Sequence, residues 1–424
     1  MKQAERRRRK KTVVARETRK VACLLTVFVL TAVMLTSISA TAVNNDNTVS
    51  KAEIVDAIMA HMKATYMGED VQHPDKEELR RVACLYYYHG LYPRTIESAS
   101  GDPITIYQPL RKIVVLNAGV AEAIRALGAK DRIVGVSDLI AKQTVFFPEI
   151  STKEVVGGWR EIDPELVLHL EADSVFAYGN WPGPEYIEEK LPDSVTVIRM
   201  DIYKPETLRA EMVKLGYLLD EEDNASEYTE WHDKYVDAIE KRVSKRAEDV
   251  NPEVFLYKSV IESTNERKAY TTQSGGISTL CEMAGGQNIA EGFEVAYPTV
   301  DVEWILDQNP EVMVGLSESG GRGGYETDDE SGLTEEYESL IELPGLGNVT
   351  AAMDERVYVI DSNVPFGPGY PIGLAYMAKW FNPDEFDDLD PQAIHREYVD
   401  KICGIDLDVT KRGVFVYPEH ENYY

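Results

Sequence analysis

Cysteine is scarce, with 4 in 424 residues and no C-x-x-C pair, so a disulfide-stapled scaffold is excluded. The 7 histidines are scattered singly, without an H-x-H or H-E-x-x-H pattern, which argues against a dedicated protein-built zinc cage. There is no G-x-x-x-x-G-K-[ST], no G-x-S-x-G and no nucleophile with a nearby histidine. No catalytic residue is therefore assigned, and the chain is not expected to be an enzyme. Positive charge is also short: 44 Lys+Arg face 73 Asp+Glu, a net −29. Residues 1–20 hold ten basic and two acidic residues and residues 21–43 none, so the remainder carries −37. Such a polyanion repels a phosphate backbone, which excludes nucleic acid as a partner of the folded part. The Gly-rich pieces Ser319–Gly324 and Gly345–Thr350 lack the setting or the completeness of a phosphate loop and read as plain loops. Asp328-Asp329-Glu330 lacks EF-hand spacing and reads as a solvated turn.

What is present begins with an address. Arg6-Arg7-Arg8-Arg9-Lys10-Lys11 precedes the uncharged stretch Val21–Val43, the order of an export signal or an amino-terminal anchor. Val21–Leu35 has the length of a signal h-region, and Ala40-Thr41-Ala42 offers small residues at cleavage spacing. If retained, the stretch of roughly 20 residues is long enough to span a bilayer. Either way the basic flank stays in the cytoplasm, and the rest is expected at the outer face of the cytoplasmic membrane or in the extracellular or periplasmic space. Beyond this segment Cys84, Cys281 and Cys403 remain, enough for one disulfide at most, and Asn224 and Asn348 open glycosylation sequons.

Along the chain, residues 51–66 place Ile54, Ile58, Met62 and Tyr66 four apart, predicting an amphipathic helix. Residues 94–107 read as two short strands about Ser-Gly-Asp-Pro. Lys112–Leu116, Val120–Leu127 and Arg132–Val136 read as strand, helix and strand, hence a parallel sheet. Residues 163–178 align with 301–316 at a constant offset of 138, so that Asp163, Glu165, Leu168 and Val175 fall on Asp301, Glu303, Leu306 and Met313. A looser echo sets Ile124–Ile133 beside Leu280–Ile289. Between the halves Tyr228, Trp231, Tyr235, Ile239 and Val243 recur at helical spacing, predicting a long stiff connector. The expected fold is α/β: two Rossmann-like lobes joined by one long α-helix, with a ligand cleft between them. The boundaries are 1–43 signal or anchor, 44–93 helical extension, 94–205 first lobe, 206–250 linker helix, 251–386 second lobe and 387–424 tail.

The predicted loops gather flat and cationic side chains. Trp159 and Arg160, Tyr178, Asn180 and Trp181, Tyr297, Arg322 and Tyr325, and Phe366 and Tyr370 are the candidate ligand-binding residues. In α/β sheets ligands sit at such strand-to-helix loops. Aromatic rings bring rigid contact area, and Arg brings a fork for carboxylate or hydroxamate oxygens.

Several segments, in order, resemble the substrate-binding proteins of ABC importers for ferric siderophores, haem and cobalamin, the helical-backbone type of periplasmic binding protein. They are the Gly-Asp-Pro-Ile-Thr-Ile turn leading to Arg111–Leu116, Glu122–Val136, Val156-Gly157 before Pro164-Glu165, Leu170–Asp173, Met283–Ile289, Glu303–Pro310 and Arg356–Asp361. The resemblance covers about residues 94–385. It implies two α/β lobes on one long helix, capture of a ferric chelate or haem-like complex, and delivery to a permease with its ATPase subunit. Cobalamin or another corrinoid is the alternative ligand. No cofactor or resident metal is implied. The resemblance also places Glu165 and Glu303, one per lobe, as docking residues for permease arginines. One departure is Gly369 after Gly367-Pro368, where family members often carry Arg. From other classes, a tetrapyrrole chelatase would need a histidine such as His169 in the cleft, and an adhesion protein would bind no small molecule there.

Overall fold

The computed structural model describes residues 49–99, 101–246, 251–259, 265–318 and 321–419. The signal or anchor expected over residues 1–43 lies outside the described residues, and no described helix is long and apolar enough to cross a membrane. The chain divides into two compact units, one ending at Gly90 and one starting at Leu91.

In the first unit, α1 (Lys51–Met62) opens with a capping box. The Ser50 N–H donates to Glu53 Oε2 at 2.7 Å, and the Glu53 N–H donates to Ser50 Oγ at 3.3 Å. The helix widens into a π-turn, Lys63–Met67, and ends at Gly68, whose φ of 71° suits glycine. α2 (Lys76–Tyr87) is capped by Asp75 and buries Cys84 and Leu85. The predicted 51–66 helix thus forms, with a partner helix.

The second unit opens with the predicted hairpin, β1 (Arg94–Glu97) antiparallel to β2 (Pro103–Ile106). β3 (Ile113–Val115), α3 (Ala118–Ala126), β4 (Ile133–Val136), β5 (Glu154–Val155), α4 (Pro164–His169), β6 (Ser174–Ala177) and β7 (Thr196–Arg199) build the first lobe. Its sheet runs β5-β4-β3-β6-β7, all parallel, as the strand–helix–strand spacing predicts. Both faces are covered, so its strands read as unbroken apolar runs: Ile113, Val114 and Val115 have no exposed surface.

Two helices follow, α5 (Pro205–Leu219) and α6 (Glu222–Val243). The stretch expected to be one linker is therefore broken, because Asp220 takes a left-handed φ of 56° and ends α5. α6 alone is the long connector, 22 residues or about 33 Å.

The second lobe holds β8 (Glu253–Ser259), β9 (Glu266–Lys268), α7 (Ile277–Met283), β10 (Gln287–Asn288), β11 (Thr299–Asp301), α8 (Val302–Gln308), β12 (Val312–Ser317), α9 (Ser331–Ile341), β13 (Val357–Asp361), α10 (Tyr370–Phe381), α11 (Pro391–Glu397) and β14 (Val416–Tyr417). Its main sheet runs β10-β8-β12-β13-β14, parallel except for β14. Residues 387–424, read from sequence as a tail, thus supply an edge strand of this sheet.

The repeat is physical. Asp163 Oδ1 accepts the Leu166 N–H at 3.1 Å to cap α4, and Asp301 Oδ1 accepts the Trp304 N–H at 2.8 Å to cap α8. Each capped helix leads into an interior strand of its sheet, β6 or β12. The looser echo pairs α3 and β4 with α7 and β10, which occupy matching places in the two sheets.

Behind the cleft the lobes share a buried seam. Tyr325 stacks on Phe146 at 4.0 Å and 10°, and the Arg125 guanidinium lies 4.1 Å from the Phe146 centroid on the other side. The Glu326 carboxylate accepts the N–H groups of Val145 and Phe146, each at 3.0 Å. The Tyr398 hydroxyl donates to the buried Glu122 carboxylate. Along α6, the Tyr228 hydroxyl donates to Pro368 O at 2.9 Å, and His232 Nε2 shares a 2.7 Å hydrogen bond with the Tyr370 hydroxyl.

Burial pushes Glu122 up to about 7 and Asp361 up to about 6. Both pKa values are raised above the unfolded ones, so their contribution is full below the ordinary carboxylate range and is lost as pH rises through 6 to 7. Glu122→Gln keeps the acceptor for Tyr398 and removes the ionisation. Its thermal midpoint should match the parent at pH 4.5 and exceed it at pH 8; an equal loss at both would contradict this balance.

Candidate functional site

Both parallel sheets present their carboxyl edges to the gap between the lobes, and the side chains just past those edges build the site. On the first lobe the chain leaves β5 through Gly157, whose φ is 123° and where a Cβ would sit 2.4 Å from Glu161 O. Only glycine fits this reversal, which presents Trp159 and Arg160. Trp159 is half-buried and meets Tyr178 edge-on at 5.9 Å, while the Arg160 guanidinium lies 4.3 Å from its ring. Tyr178 directly follows β6 and meets Tyr203 at 6.3 Å.

The loop carrying Tyr178, Asn180 and Trp181 is clamped by Arg199 at the end of β7. Its Nε and Nη2 donate to the two Glu188 oxygens at 2.6 and 2.8 Å, Nη1 donates to Tyr178 O at 3.0 Å and Nη2 to Pro182 O at 2.8 Å. The Gly179 N–H donates to Asp201 Oδ1 at 2.8 Å, and Lys204 Nζ donates to Asp201 Oδ2 at 2.8 Å.

On the second lobe, Tyr297 meets Tyr270 edge-on at 5.6 Å and donates from its hydroxyl to Ser274 O at 3.2 Å. Lys258 Nζ lies 5.5 Å from the Tyr297 centroid and is ion-paired with Glu318, which also accepts the Tyr270 hydroxyl at 2.6 Å. Lys258 and Glu318 stand at the carboxyl ends of the neighbouring strands β8 and β12. The two walls meet at Tyr203: a Cβ on Gly275 would lie 3.6 Å from its ring, and a Cβ on Gly276 would lie 2.1 Å from Pro205 Cδ. The phenol of Tyr297 also acts on Tyr203 electrostatically.

Trp159, Tyr178 and Tyr203 on the first lobe and Tyr297 and Tyr270 on the second are each in ring contact within their lobe, and the two groups face each other across this junction as an aromatic row. Burial pushes the Tyr178 hydroxyl up to about 12 and raises those of Tyr203, Tyr270 and Tyr297 as well. All four remain protonated near neutral pH; the Tyr270 and Tyr297 protons are already given to Glu318 and Ser274 O, which leaves the hydroxyls of Tyr178 and Tyr203 as the donors for a ligand. Among the described residues no three His, Cys, Asp or Glu side chains gather within metal-holding reach.

The structure brings Trp159, Arg160, Tyr178 and Tyr297 to this row and sends other predicted residues elsewhere. Tyr325 is spent on Phe146 and His395 in the seam, and Tyr370 on His232. Arg322 is held by Glu335 at 2.7 Å and Glu336 at 3.1 Å. Asn180 and Trp181 are exposed at the rim, with Asn180 lining a groove of about 310 Å³ between its loop and the β1–β2 hairpin; Phe366 is half-buried. His169 ends α4 near Lys112 and Glu171, at the amino edge of the sheet and away from the row. Tyr203, Tyr270, Lys258 and Glu318 are the additions that sequence reasoning missed. Their only signal was position, each within a few residues of a strand end.

Glu165 and Glu303 are matched in the structure as in the sequence. Each is the second residue of its capped helix, each is exposed, and neither makes an ion pair among the described residues.

Two parallel-sheet lobes on a helical spine, with an aromatic row at the facing carboxyl edges, define a two-lobed ligand-binding protein. Residues 113–364 match the profile of the family described as Periplasmic binding protein, well over half of the chain. The chain belongs to that family, as the ordered motifs implied. It is similar in structure to the TroA-like periplasmic binding protein FepB from Veillonella parvula, at 21% identity and TM-score 0.63, covering 76% of this chain and 99% of that one. It is also similar to a periplasmic heme binding protein from Pseudomonas aeruginosa, at 21% identity and TM-score 0.52, covering 65% of this chain and 94% of that one. At these identities the likeness speaks for the fold. In sequence it is 22% identical over 208 residues to the vitamin B12-binding protein of Yersinia pestis (strain Pestoides F), spanning 49% of this chain and 70% of that one. These relatives are binding proteins, and the family is extracytoplasmic and serves ABC transporters.

The Arg199 clamp is testable by itself. Arg199→Met leaves the partly exposed Glu188 without its fork and two loop carbonyls without their donor, and should cost about 1–3 kcal/mol. Amide exchange should quicken over residues 178–188 and stay unchanged in β8 and β12. Unchanged exchange in that loop would contradict the clamp.

Proposed function

We propose that this chain is the substrate-binding protein of an ABC importer that captures a ferric chelate, a siderophore or haem-like complex, between its lobes. It hands that complex to the permease, whose ATPase subunit drives transport. The observation that carries this reading is the aromatic row from Trp159 to Tyr270. It is broad and rigid, with protonated phenols along it, and suits a bulky chelate with peripheral oxygens rather than a bare ion. Cobalamin is the second reading, favoured by the vitamin B12-binding relatives. Residues 21–43 would deliver the protein outside, as a retained anchor or a cleaved signal. A chelatase is disfavoured by the place of His169, remote from the row.

Glu165 and Glu303 serve as the permease contacts in this reading. Matched, exposed and one per lobe, they offer charge-assisted pairing with arginines and would report the relative position of the lobes.

Two measurements test this. Tryptophan fluorescence should change saturably on titration with at least one of a ferric siderophore, haemin or cyanocobalamin, and Trp159→Phe should remove most of the change. No response to any of them would contradict ligand capture. Reversing both charges, Glu165→Arg with Glu303→Arg, should abolish transport while ligand affinity of the isolated protein holds; undiminished transport would end the docking assignment.

A further inference from the structure

The charges around the row say which chelates it accepts, given that the row is the ligand site. On the first lobe Tyr203 is flanked by Asp201, Lys204 and Glu206, and Tyr178 by Asp201. On the second lobe Tyr297 is flanked by Glu318 and Lys258, and Tyr270 by Glu318. Arg160 lies over Trp159. Three cations thus face three anions, and four of the six are already paired with each other. Lys204 holds Asp201 at 2.8 Å, and Lys258 holds Glu318. The fourth candidate cation, Arg322, is removed by Glu335 and Glu336.

We infer that the site selects an uncharged metal chelate, one whose ligand set already saturates the metal and neutralises its charge. Ferric trihydroxamates and cobalamins share this chemistry. A triply anionic ferric tris-catecholate would need several unpaired cations at the row, and among the described residues the three flanking cations leave only Arg160 without a carboxylate partner. It would also have to approach a folded part that carries a formal −37, whose long-range field opposes it. An uncharged chelate meets neither cost, and it accepts hydrogen bonds from the phenols of Tyr178 and Tyr203 while its faces cover the rings.

The experiment is fluorescence titration of the full chain with an uncharged ferric trihydroxamate, cyanocobalamin, haemin and a ferric tris-catecholate, at low and high salt. One of the first two should bind at least about tenfold more tightly than either anion, and its Kd should move less than about twofold with salt. Which of the two does so distinguishes hydroxamate from corrinoid. Glu318→Gln, which frees Lys258, should raise the preference for the anionic over the uncharged ligands about tenfold. Tightest binding of haemin or the catecholate by the parent protein would overturn the inference and leave the importer reading standing. Failure of all four to bind would overturn that reading, and the inference with it.

Discussion

Everything at the site depends on how closely the two lobes meet at Tyr203 and Pro205. The Gly275–Gly276 loop comes so near that a side chain at Gly276 would collide with the proline ring. Glycine backbone rather than a side chain therefore faces the proline there, and the aromatic rings of the two lobes are brought to face each other in one row. If the lobes stood a few ångströms further apart, the same residues would be two unrelated surface patches. Closeness here turns two similar halves into a single aromatic surface.

That closeness is held from behind. α6 alone could act as a strut, but its Tyr228 and His232 are tied to Pro368 and Tyr370 of the second lobe. The stack of Arg125, Phe146 and Tyr325 then joins the lobes through large buried rings, with Glu326 satisfying the N–H groups of Val145 and Phe146. The Tyr228–Pro368 and His232–Tyr370 hydrogen bonds are buried, so opening the seam would strand their polar groups, at about 1–3 kcal/mol each, while the Glu326 contacts lie at its exposed margin. A molecule built this way keeps its lobes nearly fixed. The proposed permease contacts, Glu165 and Glu303, would then stand at a set spacing that a fixed pair of arginines could read.

Much of the architecture was legible because it rests on short-range rules. Asp163 and Asp301 announce helix starts by capping, and the apolar runs at residues 113–115 and 312–317 can only be strands covered on both faces. The site was harder to read because loop composition says little about where a side chain turns. Arg322 sits in a glycine-rich loop that suggests exposure, yet it is captured by glutamates on α9 that lie 13 and 14 residues later. Tyr325 and Tyr370 have the right type and the right neighbourhood, and both point into the seam instead. Tyr203 and Tyr270 carry no motif at all; they belong to the site only because two strands end opposite each other. The break at Asp220 escaped notice for the same reason, since a left-handed aspartate leaves no mark in hydrophobic periodicity.

The most direct measurement is hydroxyl-radical footprinting with and without saturating chelate, read by mass spectrometry at individual residues. The account predicts protection confined to Trp159, Tyr203 and Tyr297, with Tyr66 and Tyr87 of the first unit reacting equally in both samples. Protection elsewhere with those three unchanged would contradict a ligand seated between the lobes.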